Sequence, residues 1–358
     1  MGEAKGLALE SRKTHPMRGP TDANRRPRVH EVTRVQPDLV ADGARKPIVF
    51  IAGMGRSGST LLERMLGQLP GWFSVGEMVH IWTRGLTDNE RCGCGRPFRE
   101  CEVWSAIGER AFGGWDQVNP SGLNEMRLAV ERDRYIPFLL YPRLKPGFLE
   151  DVLAYTEVLE RIYDAARQVT GSSIVVDSSK HVPAALALRL NPGMDLRIVH
   201  LVRDSRGVAY SWSKAVMRPA TSGETLMARW SPLEASLRYL AYNSLLSRVF
   251  ADSAVRIRYE DFVAEPDGTV ASVAEWLGSD ADAREWLGKD GSVALAPSHG
   301  LSGNPMRFKT GAVELSVDDE WTRSMRASDR LLVTAVTLPS LLRYRYRLTS
   351  AGSRDREV

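Results

Sequence analysis

Apolar residues along this chain gather in short unbroken runs and in longer periodic stripes. Ile48 to Ala52 form one such run, as expected of a strand buried on both faces of a parallel sheet. Directly after it, Leu61, Leu62, Met65, Leu66 and Leu69 recur at helical spacing. Two further strands are predicted at Ile174 to Val176 and from Leu196, and a strand end at Arg256 to Asp261. Trp72 to Val75 makes a poor strand. Helical patterning covers Ser121 to Val169, where Val152, Leu153, Leu159, Ile162, Tyr163 and Ala166 form a packing stripe. A second pattern, Thr225 to Phe250, offers Trp230, Leu233, Leu237, Leu240 and Leu245 as its buried face. Alternating strands and helices predict an α/β protein: three α/β/α layers around a mostly parallel sheet.

The junction between the first strand and helix carries the chemistry. Gly53, Gly55 and Gly58 permit backbone angles and close approaches that a side chain would block. The free N–H groups and dipole of the following helix favour a phosphate or sulfate. Arg56, Ser57, Ser59 and Thr60 add charge and hydroxyl donors.

Three motifs compete for this loop. Gly53, Gly58 and Thr60 fit a nucleotide-binding P-loop, but Ser59 stands where its lysine belongs, which disfavours an NTPase. The three glycines also fit the GxGxxG of a dinucleotide fold, with Glu77 about where the ribose-binding acid would stand. That fold has no use for the dense RSGST cluster. In the third reading, RSGST before a leucine-rich helix resembles the 5'-phosphosulfate loop of sulfotransferases that use 3'-phosphoadenosine 5'-phosphosulfate (PAPS).

A second motif favours that resemblance. In Leu196 to Lys214, LRIVHLVRDSRGVAYSWSK, Arg203 ends a strand and Ser211 follows eight residues later. An arginine and a serine at this separation bind the nucleotide's 3'-phosphate in that family. Neither an ATPase nor an NAD enzyme needs such a clamp. The resemblance further implies a P-loop-like sulfotransferase fold, Tyr259 near the adenine, and Arg307, with Lys309, returning from a late loop to the 3'-phosphate. It covers roughly Pro47 to Trp321 in scattered blocks.

Sulfuryl transfer requires no metal in principle, because fixed cations can stabilise the leaving phosphate. Arg56 would sit beside the scissile bond, and Lys180, in DSSK after the strand Ile174 to Val176, resembles a lysine assisting the transition state in some branches. Glu77, in a GE context similar to that of tyrosylprotein sulfotransferases, is the candidate base, with a pKa raised by a partly dry pocket. His80 is the alternative base and His181 a lesser candidate. PAPS is then the co-substrate, the bisphosphate PAP the product, and a hydroxyl of a carbohydrate, lipid or secondary metabolite the acceptor. A small-molecule kinase or a non-catalytic nucleotide-binding protein are the competing functions.

Composition narrows the setting. The 358 residues, 43% hydrophobic, suffice for one large domain. Residues 46–345 are assigned to it, between a basic arm (1–45) without periodicity, expected to be disordered, and a flexible tail (346–358). The arm's nine Lys and Arg against six Asp and Glu carry most of the chain's net +4, so the charge is no argument for nucleic acid as a partner. No apolar run approaches a membrane span, and no signal peptide is evident, which reads as cytoplasmic and, by resemblance, bacterial. Oligomeric state is not encoded in any motif. Trp82, Trp104, Tyr135 and Phe138 are candidates for an acceptor pocket. All three cysteines cluster at Cys92, Cys94 and Cys101. They could bind zinc, form a disulfide or stay free; a structural zinc would need a fourth ligand.

Overall fold

Strand β1 (Pro47–Gly53) turns alternate side chains into two separate cores. Ile48, Phe50 and Ala52 enter one, Val49 and Ile51 the other, which is why its sequence is apolar throughout. The computed structural model describes residues 46–217, 226–280 and 292–348. The basic arm lies outside the described residues.

Helix α1 (Ser59–Leu66) follows β1, then β2 (Trp72–Gly76), and after several short turns α2 (Glu102–Phe112), α3 (Pro120–Val130), α4 (Ile136–Leu140) and α5 (Phe148–Thr170). Two strand–helix units come next: β3 (Ile174–Lys180) with α6 (Val182–Leu190), and β4 (Asp195–Val202) with α7 (Ser205–Ser213). The chain continues through α8 (Pro232–Val249), β5 (Ala254–Arg258), α9 (Tyr259–Ala264) and α10 (Pro266–Trp276). A hairpin of β6 (Ser292–Leu295) and β7 (Gly311–Glu314) precedes α11 (Trp321–Ser324) and α12 (Ala327–Arg343). The five main strands are parallel, in the order β2-β3-β1-β4-β5. One face is covered by α2, α3, α5 and α6, the other by α1, α9 and α10. This is the expected three-layer fold. Burying Leu62, Met65 and Leu66 on α1 contributes about 1.5–3 kcal/mol each, which seats that helix and the loop before it.

Several elements differ from the sequence reading. Trp72–Gly76 is a true strand, at the sheet edge, because β3 supplies its hydrogen-bond partners despite its short apolar run. The helical stretch from 121 is interrupted at 131–135, ahead of Pro137 in the first turn of α4, and again between Leu140 and Phe148, where Pro142 and Gly147 stand. Helix α8 buries Ala235, Ser236, Tyr239, Asn243 and Leu246, whereas Leu233 and Leu237 are exposed. Its inner face carries polar groups satisfied internally: Tyr239 donates to the Arg203 carbonyl (2.7 Å) and Asn243 meets His200 (2.8 Å). Trp82 and Trp104 are wholly buried in the larger core, with no face exposed to solvent; Tyr135 and Phe138 pack against the same core. In the segment read as a tail, Tyr346 is buried and bonds Glu260 (2.8 Å), and Arg206 caps the carbonyls of Arg347 and Leu348. Residues 349–358 lie outside the described residues.

Candidate active site

β1 ends at Gly53, φ 144°, where a Cβ would stand 2.3 Å from the Leu201 carbonyl of β4; only glycine lets the strand leave the sheet here. Arg56 then adopts φ 73° and Gly58 φ 89°, folding the loop back onto the start of α1. The amides of Leu61 and Leu62 both donate to the Gly58 carbonyl. Among the described residues, the five N–H groups of Arg56 to Thr60 have no protein acceptor. Ser57 Oγ is buried without a partner in the same loop. Successive free N–H donors at a helix start form an anion-binding nest.

Arg56 is flanked by aromatics. Its guanidinium lies 5.3 Å from the Trp212 ring, which stacks on Trp230 at 3.6 Å and donates from Nε1 to the Gly55 carbonyl (3.0 Å). Burial lowers its pKa against the opposing pull of Glu77, and an arginine so placed keeps its charge.

Arg203, at the end of β4, donates to the carbonyls of Arg56 (2.9 Å) and Asp318 (2.7 Å) and pairs with the Asp318 carboxylate at 3.0 Å. Its guanidinium lies 4.5 Å from the ring of Tyr259, and that ring also fills the space beside Gly58. Tyr259 thus braces the loop and Arg203. Ser211 is half-buried on α7, eight residues beyond Arg203.

On the other side of β1, the carboxyl ends of β2 and β3 bring Glu77 and Lys180 together. Lys180 ends β3 in a left-handed conformation, φ 63°, a strain that costs about 1–3 kcal/mol in a non-glycine residue. Its Nζ donates to Glu77 Oε1 (2.5 Å) and to the Ser178 carbonyl (2.7 Å). His80 Nε2 lies 3.5 Å from Glu77 Oε2. The expected raised pKa of Glu77 is reversed. Burial pushes it up, but Lys180, His80 and Arg84 together hold it below the ordinary carboxylate value. Loss of hydration and the nearby Arg84 push His80 down to about 3, which leaves it a poor base.

The late segment closes this side. Leu301 bonds backbone to backbone with Val75 (2.9 Å) and Glu77 (2.7 Å), extending the β2 edge. A Cβ at Gly303 would lie 3.3 Å from Glu77 Oε1 and 3.5 Å from Thr60 Oγ1, so carboxylate and loop hydroxyl converge on one spot. Buried Arg64 on α1 fastens the segment by donating to the carbonyls of Ala296, Met306 and Lys309. Arg307 is buried, donates to the Arg91 carbonyl (2.9 Å) and feels Glu90 and Glu77. Its neighbours therefore belong to the β2 side, opposite β1 from Arg203, and the side chain of Lys309 is exposed. His181 stands at the N-cap position of α6 without a side-chain capping bond, its Nδ1 buried without a partner and its pKa pushed down to about 4 by burial.

Sequence reasoning missed Trp212, Asp318, Gly303 and Arg64. Trp212 sits beside Ser211 in the stretch Leu196 to Lys214, whereas Asp318 has no local signal.

The model of the sulfotransferase family matches residues 47–283. This chain belongs to the sulfotransferase family. Among solved structures, the sulfotransferase domain from the Synechococcus PCC 7002 olefin synthase is 19% identical, with 88% of this chain and 100% of that one covered and a TM-score of 0.48. The sulfotransferase domain from the curacin biosynthetic pathway is 18% identical, covering 86% and 100%, TM-score 0.43. Sulfotransferase STF9 from Mycobacterium avium is 14% identical, covering 86% and 78%, TM-score 0.43. No curated protein sequence matches the chain. No described helix of this sulfotransferase is long and apolar enough to cross a membrane.

Proposed function

We propose that the protein transfers the sulfuryl group of PAPS to a hydroxyl of a small carbohydrate, lipid or secondary metabolite, releasing PAP. The observation that carries this reading is the run of five unaccepted N–H groups, Arg56 to Thr60, beside the Glu77–Lys180 pair. Family membership supports a sulfuryl rather than a phosphoryl group as cargo.

In this reading the loop amides with Ser57, Ser59 and Thr60 hold the 5'-phosphosulfate, and Arg56 lies along the bond to be broken. Arg203 with Ser211 takes the 3'-phosphate; Tyr259 supports Arg203 from beneath. Arg307 belongs to the electrostatic frame around Glu77. The acceptor oxygen attacks sulfur in line while the sulfur–oxygen bond to the 5'-phosphate breaks. Glu77, ionised, takes the hydroxyl proton. Lys180 has three N–H donors and spends two on Glu77 and Ser178, so the third is free for the charge growing on the bridging oxygen.

Calorimetry with PAP, ADP, magnesium ATP and NAD tests the proposal. Strong preference for PAP, lost in Arg203→Ala and Ser211→Ala, is the expected result. Tight ATP binding indifferent to a 3'-phosphate would overturn it in favour of a kinase.

A further inference from the structure

Three clustered cysteines and a histidine from far along the chain meet beside the late segment. Cys92, Cys94, Cys101 and His299 bring one ligand atom each within 4.8 Å of all the others. Cys94 Sγ and Cys101 Sγ are 3.7 Å apart; His299 Nδ1 lies 3.2 Å from Cys101 Sγ and 3.9 Å from Cys92 Sγ. A tetrahedral zinc with bonds of about 2.3 Å to sulfur and about 2.0–2.1 Å to nitrogen requires ligand separations of about 3.5–3.8 Å. The cluster is close to that size, with three of its separations at 3.2–3.9 Å and all of them within 4.8 Å. The fourth ligand, which the sequence could not supply near the cysteines, is a histidine 198 residues beyond Cys101.

The surrounding backbone is built to present these ligands. Cys92 N donates to the Arg96 carbonyl and Gly95 N to the Cys92 carbonyl, each at 2.8 Å, curling the cysteine loop into a tight knuckle with Gly95 at φ 89°. Cys101 is the residue on which α2 starts. Gly93 donates to the Gly300 carbonyl (3.1 Å), and a Cβ on Gly93 would collide with Ser298 O at 2.7 Å. Trp104 Nε1 fixes the His299 carbonyl at 2.8 Å. Both chain segments are thus held in register on either side of the cluster.

We propose that Cys92, Cys94, Cys101 and His299 bind one structural zinc ion that clamps the cysteine loop to the segment covering the phosphate loop. Three sulfurs and one imidazole suit zinc among the common divalent ions, and four protein ligands leave no open position for catalysis. The ion's effect is on placement. His299 lies three residues before Ser302, which accepts from Arg84 (2.5 Å) and leads into Gly303 against Glu77 and Thr60. Zinc therefore fixes the lid over the site rather than joining the transfer.

The test is elemental analysis of the full chain purified without chelator, together with cobalt(II) substitution. One zinc per chain and a cobalt spectrum with tetrahedral ligand-field and thiolate charge-transfer bands are expected. His299→Ala should lose the metal, and His299→Cys, which restores four ligands, should regain it. Less than about 0.2 zinc per chain after reconstitution, with all three thiols titrating freely in the folded protein, would overturn the proposal, as would zinc retained at full stoichiometry in Cys94→Ser with His299→Ala. These readouts stand whether or not PAP binds.

Discussion

Lys180 Nζ sits 2.5 Å from Glu77 Oε1, joining the ends of two adjacent strands across a gap of 103 residues in sequence. The pair keeps a buried carboxylate ionised, against the direction in which burial alone would drive it. Glu77→Gln should therefore lower kcat by about 10²–10⁴-fold while PAP affinity stays within about threefold. Unchanged turnover in that variant would remove Glu77 from the mechanism.

The same pairing sets the acid side of the pH profile. Because the Glu77 pKa is lowered, kcat/KM should hold down to its ordinary value of 4.5 and fall only below it. In Lys180→Met the burial effect dominates, so the acid limb should move above 4.5 as well as the rate falling. Stability follows the same sign: the contribution of a depressed carboxylate is present above its unfolded pKa and lost as pH falls through the folded one. Denaturation of wild type and Glu77→Gln should converge as pH is lowered through that window.

Asp318 places a carboxylate on the Arg203 guanidinium, the group proposed to hold the 3'-phosphate. Burial raises its pKa, but the Arg203 hydrogen bond and charge outweigh this and hold it down, so it is an anion at neutral pH. Removing that competitor in Asp318→Asn should tighten PAP binding by up to about tenfold, or 1.4 kcal/mol, with ADP affinity little changed. Isothermal titration of the two nucleotides measures the difference.

Gly58 has no room for a side chain, since its Cβ would stand 2.5 Å from the Tyr259 ring at a φ of 89°. Gly58→Ala should abolish measurable PAP binding while circular dichroism stays native. Gly58→Ala combined with Tyr259→Ala relieves the contact but not the backbone strain, and should recover only part of the affinity.

Arg64 satisfies three carbonyls of the late segment from within α1. Arg64→Met strands those acceptors and should cost about 3 kcal/mol by urea denaturation, with a measurable loss of PAP affinity by calorimetry because the late segment is released.

Strands β1, β3, β4 and β5 and the glycine-rich loop were legible in the sequence because apolar runs and turn residues are local signals, whereas β2 was not, because its strand character comes from pairing with distant β3. Ile48 to Ala52 had to be buried on both faces, and the RSGST turn had to open a helix. Glu77 and Lys180 were found as individual candidates, yet their pairing was invisible, and with it the sign of the Glu77 pKa. The inner face of α8 was misread because Tyr239 and Asn243 are polar residues whose partners, Arg203 and His200, come from another element. Likewise, the cysteines announced a cluster, while His299 completes it through a fold-level return of the chain.

That return also has a kinetic meaning. Strands β1 to β5 pair within the first 258 residues, but among the described residues the carboxyl end of the outer β2 edge is met by Leu301, which also receives the Glu77 amide. A nascent chain that has finished its sheet still presents an unpaired edge, the kind of surface on which chains stick to one another. The bonds that cover this end of β2 are also the ones that hold the Glu77 backbone, so the late segment shields an exposed edge and orients that carboxylate through the same residue, Leu301.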